Sequence, residues 1–384
     1  MLLVAILTRL LCKCDARSTQ EGILTPYSWG ESAGAASVGH QLTAYNGRDD
    51  GLFRAGIMES SNAVPYSSYM SNLDYQPAYN GIVNMTNCSS AIDTLDCLRH
   101  VPYEQLNAVI NTTEYQSFFN PVVDGDFIAR WASIQLAEGA FVHVPIIDGA
   151  NSDEGYSFGP RGVNTTEQFI EYATGDDTGT DTPLPAAFAD GLVEAYPLEC
   201  DYFIPDNDTL PCGFSGFPSA YGDPEQFRRA AAYSGDASFI ANRRGACETW
   251  AAADLPAYCY RFDTTPTGVP YWQGVPHFQE VAYVFDNTQG LGYDVNPFAD
   301  QSDADYNLAE LMSKSWASFI HDLDPNGFEG RFEGADAWPR YSLDQPQNMV
   351  WDANATDTLA YAEADTWRAE GIQFILDHNL AYKR

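Results

Sequence analysis

The sequence predicts an α/β fold organised on a mostly parallel sheet, on three observations. Apolar runs of strand length stand at residues 23–29, 52–59, 144–148 and 257–262, with helical stretches at 33–44, 225–243, 306–321 and 366–376. The segment Gly30-Glu31-Ser32-Ala33-Gly34 has the form G-x-S-x-G and lies between the first run and the first helical stretch, so strand, sharp turn and helix follow one another. The acidic turn Asn151-Ser152-Asp153-Glu154-Gly155 comes at the carboxyl end of the 144–148 run, the end at which α/β sheets place their sites.

Each element has a local reason. Residues 23–29 are apolar enough for a strand, although Pro26 removes a ladder donor. Residues 33–44 are small and apolar, with Gly39 the one helix breaker. A serine on such a turn needs small neighbours, because the backbone is strained and the helix passes close to the strand. Ser32 is therefore the candidate nucleophile, and the N–H of Ala33, at the helix start, a candidate oxyanion donor. Residues 52–59 read as the next buried strand, ending in Ser60-Ser61-Asn62. Residues 257–262 alternate and are aromatic. In 306–321, Leu308, Leu311, Met312, Trp316 and Phe319 recur at helical spacing as a core-packing stripe, and 366–376 reads as a closing helix. From about 158 to 249, loops such as Gly175-Asp176-Asp177-Thr178-Gly179 alternate with helices; that loop lacks the other ligand positions of a calcium loop and reads as solvated surface.

Composition narrows the function classes. A chain of 384 residues with 45% hydrophobic and 14% aromatic content can bury a large core, and one domain is expected. No apolar run approaches membrane-spanning length, so no integral membrane segment is expected. With 53 acidic against 19 basic residues, the formal charge of -34 repels phosphate backbones and anionic lipid, which argues against nucleic acid as a partner. Of eight cysteines, six fall into neighbouring pairs, Cys88 with Cys97, Cys200 with Cys212 and Cys247 with Cys259, a pattern of local disulfide loops formed in an oxidising compartment. None has zinc-ligand spacing with nearby histidines, and no metal is expected. Sequons at Asn84, Asn87, Asn111, Asn164, Asn207 and Asn354 point the same way, to a secreted, extracellular glycoprotein.

Gly30-Glu31-Ser32-Ala33-Gly34-Ala35 resembles the nucleophile elbow of the type-B carboxylesterase/lipase family, the cholinesterase-like α/β-hydrolases. The resemblance runs from about Ser28 nearly to the C-terminus. Its landmarks are Leu52-Phe53-Arg54-Ala55-Gly56-Ile57-Met58, Pro121-Val122-Val123-Asp124-Gly125, Trp316 with Asp324-Pro325-Asn326, and Trp338-Pro339-Arg340-Tyr341. It implies an α/β-hydrolase fold, with helices flanking a mostly parallel sheet, a single catalytic domain over 23–384 and a helical region at 158–249 over the pocket. It also implies a triad of Ser32, Glu154 and His277, the last following Gly274-Val275-Pro276 in a loop after a strand. The order Ser, acid, His, with separations of 122 and 123 residues, is the one such folds use. Asp153 and Asp148 are alternative acids close in sequence.

By the same resemblance Glu31 and Glu280 form an acidic surround for the histidine, and Ser60 lies near the catalytic acid. Tyr115, Phe118 and Phe119 precede 121–125 where relatives line the acyl side of the pocket; ordinary core aromatics are the competing reading. A small disulfide loop is implied at Cys88–Cys97, and Cys259 would tie its strand back to Cys247. The implied reaction cleaves a small-molecule or lipid carboxylic ester through an acyl-enzyme, with no cofactor; which ester, lipase or esterase, and the oligomeric state are not legible.

Residues 1–11 are mostly apolar but interrupted by Arg9, so 1–22 read either as a signal-peptide remnant or as a leader foreign to the domain. In the family a portion of sheet and a glycine-rich oxyanion loop precede the elbow, and no such loop stands upstream of Ser28. The expectation is that N-terminal strands are missing and turnover is at least about a hundred-fold below that of an extended form. Two rival readings are a catalytically silent, cholinesterase-like binding or adhesion protein and an incomplete gene product.

Overall fold

The computed structural model describes residues 26–175, 183–199, 216–330, 335–354 and 358–384. In chain order, β1 (Ser28–Glu31) leads through Ser32 into α1 (Ala33–Gly47), followed by β2 (Gly56–Glu59). Next come α2 (Asn72–Met85), α3 (Thr94–His100), α4 (Tyr103–Ile110), α5 (Ala132–Ala137) and β3 (Ile146–Asn151). Past β3 lie α6 (Gly155–Phe158), α7 (Thr166–Thr174), α8 (Ala189–Ala195), α9 (Pro224–Gly235) and α10 (Ala241–Ala252). The chain closes with β4 (Ala257–Phe262), α11 (Val281–Val284), α12 (Asp303–Asp322), β5 (Gln347–Trp351), β6 (Ala360–Ala364) and α13 (Ala369–Asp377).

Among the described residues the strands form one six-stranded sheet in the order β1-β2-β3-β4-β5-β6, parallel from β1 to β5 with β6 antiparallel. β2, β3 and β4 are buried along their whole length, as strands covered on both faces must be. Their alternating side chains divide the core. Ile57, Ile147, Tyr258 and Tyr260 pack with Leu308, Leu311, Met312, Trp316 and Phe319 of α12. Met58, Ile146, Ala257 and Cys259 pack on the other face with Val38 and Leu42 of α1 and Trp250 of α10. The late landmarks meet: Asn326 Oδ1 accepts from the Trp338 N–H at 2.7 Å, Trp338 Nε1 donates to Cys259 O at 2.9 Å, and the rings of Trp316 and Trp338 lie 5.1 Å apart.

Several boundaries differ from the sequence reading. The described part of the first strand begins at Ser28, so Pro26 lies before it, where its carbonyl accepts from the Arg54 N–H at 2.9 Å. Pro26 therefore interrupts no ladder. The run expected as one helix over 225–243 is α9 and α10 joined through a π-helical turn, Asp236–Ile240. That turn aims Asp236 inward, where its carboxylate accepts from Arg368 at 2.6 and 2.7 Å and from Tyr196 at 2.8 Å. Disulfides join Cys88 to Cys97 and Cys247 of α10 to Cys259 of β4. Loops this short contribute roughly 2 to 3 kcal/mol each in the chain-entropy account. Cys200, Cys212 and Asn207 lie outside the described residues.

Candidate active site

Ser32 sits between β1 and α1 with φ 54° and ψ -119°, a left-handed conformation costly for any residue with a Cβ. Its N–H donates to Glu59 O of the neighbouring strand at 2.8 Å, which holds the turn in place. A Cβ on Gly30 would lie 2.2 Å from the carbonyl carbon of Gly34, so glycine is what lets helix and strand meet. Gly34 is different: a Cβ there meets nothing within 4 Å, and both Ala33 and Gly34 are exposed. Ala33 occupies the first helical position, where an N–H has no acceptor within its own helix.

Glu154 follows β3 and is fully buried. Its Oε1 accepts from Ser60 Oγ at 2.6 Å and from the Asn151 N–H at 2.8 Å, while its Oε2 lies 2.6 Å from His277 Nδ1. Gly155 follows because α9 passes behind: a Cβ there would meet Ala231 O at 1.8 Å. The alternative acids are engaged elsewhere. Asp148 Oδ2 accepts from Asn62 Nδ2 at 3.0 Å, and Asp153 Oδ2 from the Val275 N–H at 2.9 Å. Thus of the three acids weighed, only Glu154 contacts the histidine.

His277 Nε2 lies 3.1 Å from Glu31 Oε1, close enough for an ion pair but without an aligned hydrogen bond. No hydrogen bond joins Ser32 Oγ to His277 among the described residues. Glu280 does not touch the imidazole; its Oε2 accepts from Asn151 Nδ2 at 2.7 Å. The rings set against His277 are Phe158, edge-on at 5.0 Å, and Phe239, stacked at 4.8 Å. Sequence reasoning missed both, since Phe239 reaches the site only through the π-helical turn.

Tyr115, Phe118 and Phe119 are not brought to this centre. Tyr115 and Phe118 belong to a separate apolar cluster with Ala78, Ile82 and Val109, and Phe119 meets Tyr75 edge-on and is largely exposed. Gly81 of α2 makes the room, since a Cβ there would sit 2.3 Å from Tyr115 Oη. The core-aromatic reading holds for Tyr115 and Phe118. Among the described residues, the sequon asparagines Asn84, Asn87, Asn111, Asn164 and Asn354 are all exposed. No group of three or more His, Cys, Asp or Glu side chains is placed to hold a metal among the described residues.

The carboxylates set the charge of the histidine. Burial alone would pull His277 down, but the ion pair and hydrogen bond with Glu154, together with Glu31 and Glu280, push it up to about 9. Burial and then Glu280 push Glu31 up to about 8, against the pull of His277. Burial and then Glu154 raise Glu280 to about 7. The balance favours the protonated imidazole, with Nδ1 bonded to Glu154 and Nε2 facing Glu31. Because its pKa rises on folding, its contribution to stability is full below about 6.5 and is lost as pH rises through about 9. Following the imidazole carbon-bound protons by NMR should give a titration midpoint well above 6.5, moving down in Glu31→Gln. An unshifted midpoint in the native chain would contradict this electrostatic picture.

A family model described as the carboxylesterase family matches residues 28–367. The chain belongs to the carboxylesterase family. Among relatives of this carboxylesterase-family chain, secreted lipase 1 of Botryotinia fuckeliana is 31% identical over 330 residues, 82% of this chain and 52% of the relative. Secreted triacylglycerol lipase LIP1 of Gibberella zeae is 27% identical over 362 residues, 90% of this chain and 55% of the relative. The chain thus spans about half the length of the curated relatives it matches. The crystal structure of Aspergillus niger EstA superposes with a TM-score of 0.71 at 22% identity, covering 93% of this chain and 65% of that one, which establishes the α/β-hydrolase fold. No helix among the described residues is long and apolar enough to cross a membrane.

Proposed function

We propose that this chain carries the catalytic centre of a secreted carboxylic ester hydrolase that works through Ser32, His277 and Glu154. The observation that carries the reading is the 2.6 Å contact of His277 Nδ1 with a fully buried Glu154, two residues of one loop pair, beside a serine on a strained elbow. In the proposed cycle His277 loses its proton, Nε2 turns from Glu31 to Ser32 Oγ and takes the serine proton, and Oγ adds to the ester carbonyl. The Ala33 N–H donates to the oxyanion, and the imidazolium then protonates the departing alcohol. Glu154 keeps the Nδ1 proton in place throughout. A water repeats these steps to release the acid from Ser32.

The substrate would be a lipid or other small carboxylic ester, a class suggested by the lipase names of the relatives. Extracellular residence is supported by the word "secreted" in those names and, among the described residues, by the disulfides Cys88–Cys97 and Cys247–Cys259 and by the exposed sequon asparagines, which we take as N-glycosylation sites. A second reading, a catalytically silent binding protein, is favoured by the engagement of His277 Nε2 with Glu31 rather than with Ser32. A fluorophosphonate probe separates the two. The hydrolase should form one adduct, mapped by peptide mass to Ser32, faster at pH 9 than at pH 7 because the base must first lose its proton. No adduct at either pH, from a folded chain, would select the silent reading.

A further inference from the structure

The turn between β3 and α6 presents more than the acid, and we propose that Asn151 and Asp153 are positioning residues that clasp the His277 loop in register with Glu154. The proposal rests on the triad reading above. Two bonds close one half of the clasp: the Asp153 N–H donates to Val275 O at 2.9 Å, and the Val275 N–H returns to Asp153 Oδ2 at 2.9 Å. Asn151 makes the other half, donating through Nδ2 to Pro276 O at 2.9 Å and to Glu280 Oε2 at 2.7 Å. Both residues directly before His277, and Glu280 after it, are thereby held from the acid turn.

The side chains of this turn divide their tasks. Asn151 and Asp153 reach the histidine loop, whereas Ser152 between them turns to the end of β4, donating to Asp263 Oδ1 at 2.6 Å and accepting from Arg261 at 2.9 Å. The approach of the two loops is tight enough to exclude side chains. Gly274 has φ +62°, and a Cβ on it would fall 2.1 Å from Asp153 Oδ2. Asn151 and Glu280 are fully buried and Val275 nearly so, which keeps water from replacing these bonds. Glu154 fixes only the ring of His277; the clasp fixes the backbone from which the ring projects. A displacement of the ring by about 1 Å typically costs on the order of a hundred-fold in rate.

The test uses the whole chain with Asp153→Leu, which removes the acceptor, Asp153→Asn, which keeps an acceptor oxygen, and Asn151→Ala. The first readout needs no turnover: the low-field proton NMR signal of the His277 Nδ1–H bonded to Glu154. It should be sharp in the native chain and in Asp153→Asn, and broadened or lost in Asp153→Leu and Asn151→Ala. On an ester the same two variants should lose about a hundred-fold in kcat with KM little changed, and Asp153→Asn should keep most of it. If Asp153→Leu does not fold, Asn151→Ala against Asp153→Asn makes the same comparison. A sharp signal and native kcat in both Asp153→Leu and Asn151→Ala would overturn the clasp, as would equal loss in Asp153→Asn. A native chain without turnover but with the expected NMR pattern would overturn the ester reading and leave the clasp standing.

Discussion

Ester turnover should fall by roughly a million-fold in Ser32→Ala and by a similar factor in His277→Ala, and the double variant should be no slower than either. The serine and histidine act as one unit, so removing the second member of a unit already broken changes nothing. Glu154→Gln should cost less, about ten-thousand-fold, because an amide leaves the geometry but no longer holds the imidazole in the tautomer that Ser32 needs. Asp153→Asn serves as the control acid, since its carboxylate meets the Val275 N–H and not the imidazole. Ser32→Ala keeps a Cβ at φ 54°, so the elbow is no more strained than before, and unchanged melting would attribute the loss to chemistry. Substantial residual hydrolysis in Ser32→Ala, measured against the native chain with its active serine titrated by the fluorophosphonate probe, would remove Ser32 from the mechanism.

The sheet was legible because its central strands are buried on both faces and therefore read as apolar runs. Residues 257–262 coincide with β4, and the stripe in 306–321 with α12. Edges were less legible. β2 is only Gly56–Glu59, because the residues expected to begin it at 52–55 lie in the approach, where the Arg54 N–H turns back to Pro26 O. β5 and β6 went unread; β6 is half-exposed along most of its length, so it has no continuous apolar run.

At the site, the motif residues were legible because the elbow is local: Gly30, Ser32 and Gly34 lie within five positions, whereas Glu154 and His277 were picked out by the resemblance to the carboxylesterase/lipase family, with which the order Ser, acid, His agrees. What the sequence could not give is a partner set by tertiary approach. Phe239 depends on one extra residue per turn in a π-helical segment, and no periodicity announces it. The engagement of His277 Nε2 by Glu31 likewise follows from distance, not spacing. Tyr115 went the other way, since its position before 121–125 says nothing of the gap that Gly81 opens for it in α2.

The largest stability effect is expected at Asp365, remote from Ser32. This carboxylate, 1% exposed, accepts from Arg243 at 2.7 and 2.9 Å, from Arg244 at 2.8 Å and from Tyr341 Oη at 2.9 Å, tying α10 to the end of β6. Burial would raise its pKa, but Arg243 and Arg244 hold it well below the ordinary 3.8. A lowered pKa gives stability that is present above about 3.8 and is lost progressively as pH falls below it. Asp365→Ala strands two guanidinium groups in the interior, and removing one partner of a buried pair costs about 3 to 5 kcal/mol. Against a total of roughly 5 to 15 kcal/mol, that is enough to bring the chain near its unfolding limit. Replacing all three charges, as Asp365→Leu with Arg243→Met and Arg244→Met, removes the desolvation cost together with the attraction, so the triple variant should recover most of the loss. Urea midpoints at pH 7 decide between them. A triple variant less stable than Asp365→Ala would show that the ion cluster itself, and not the stranded charges, carries the stability.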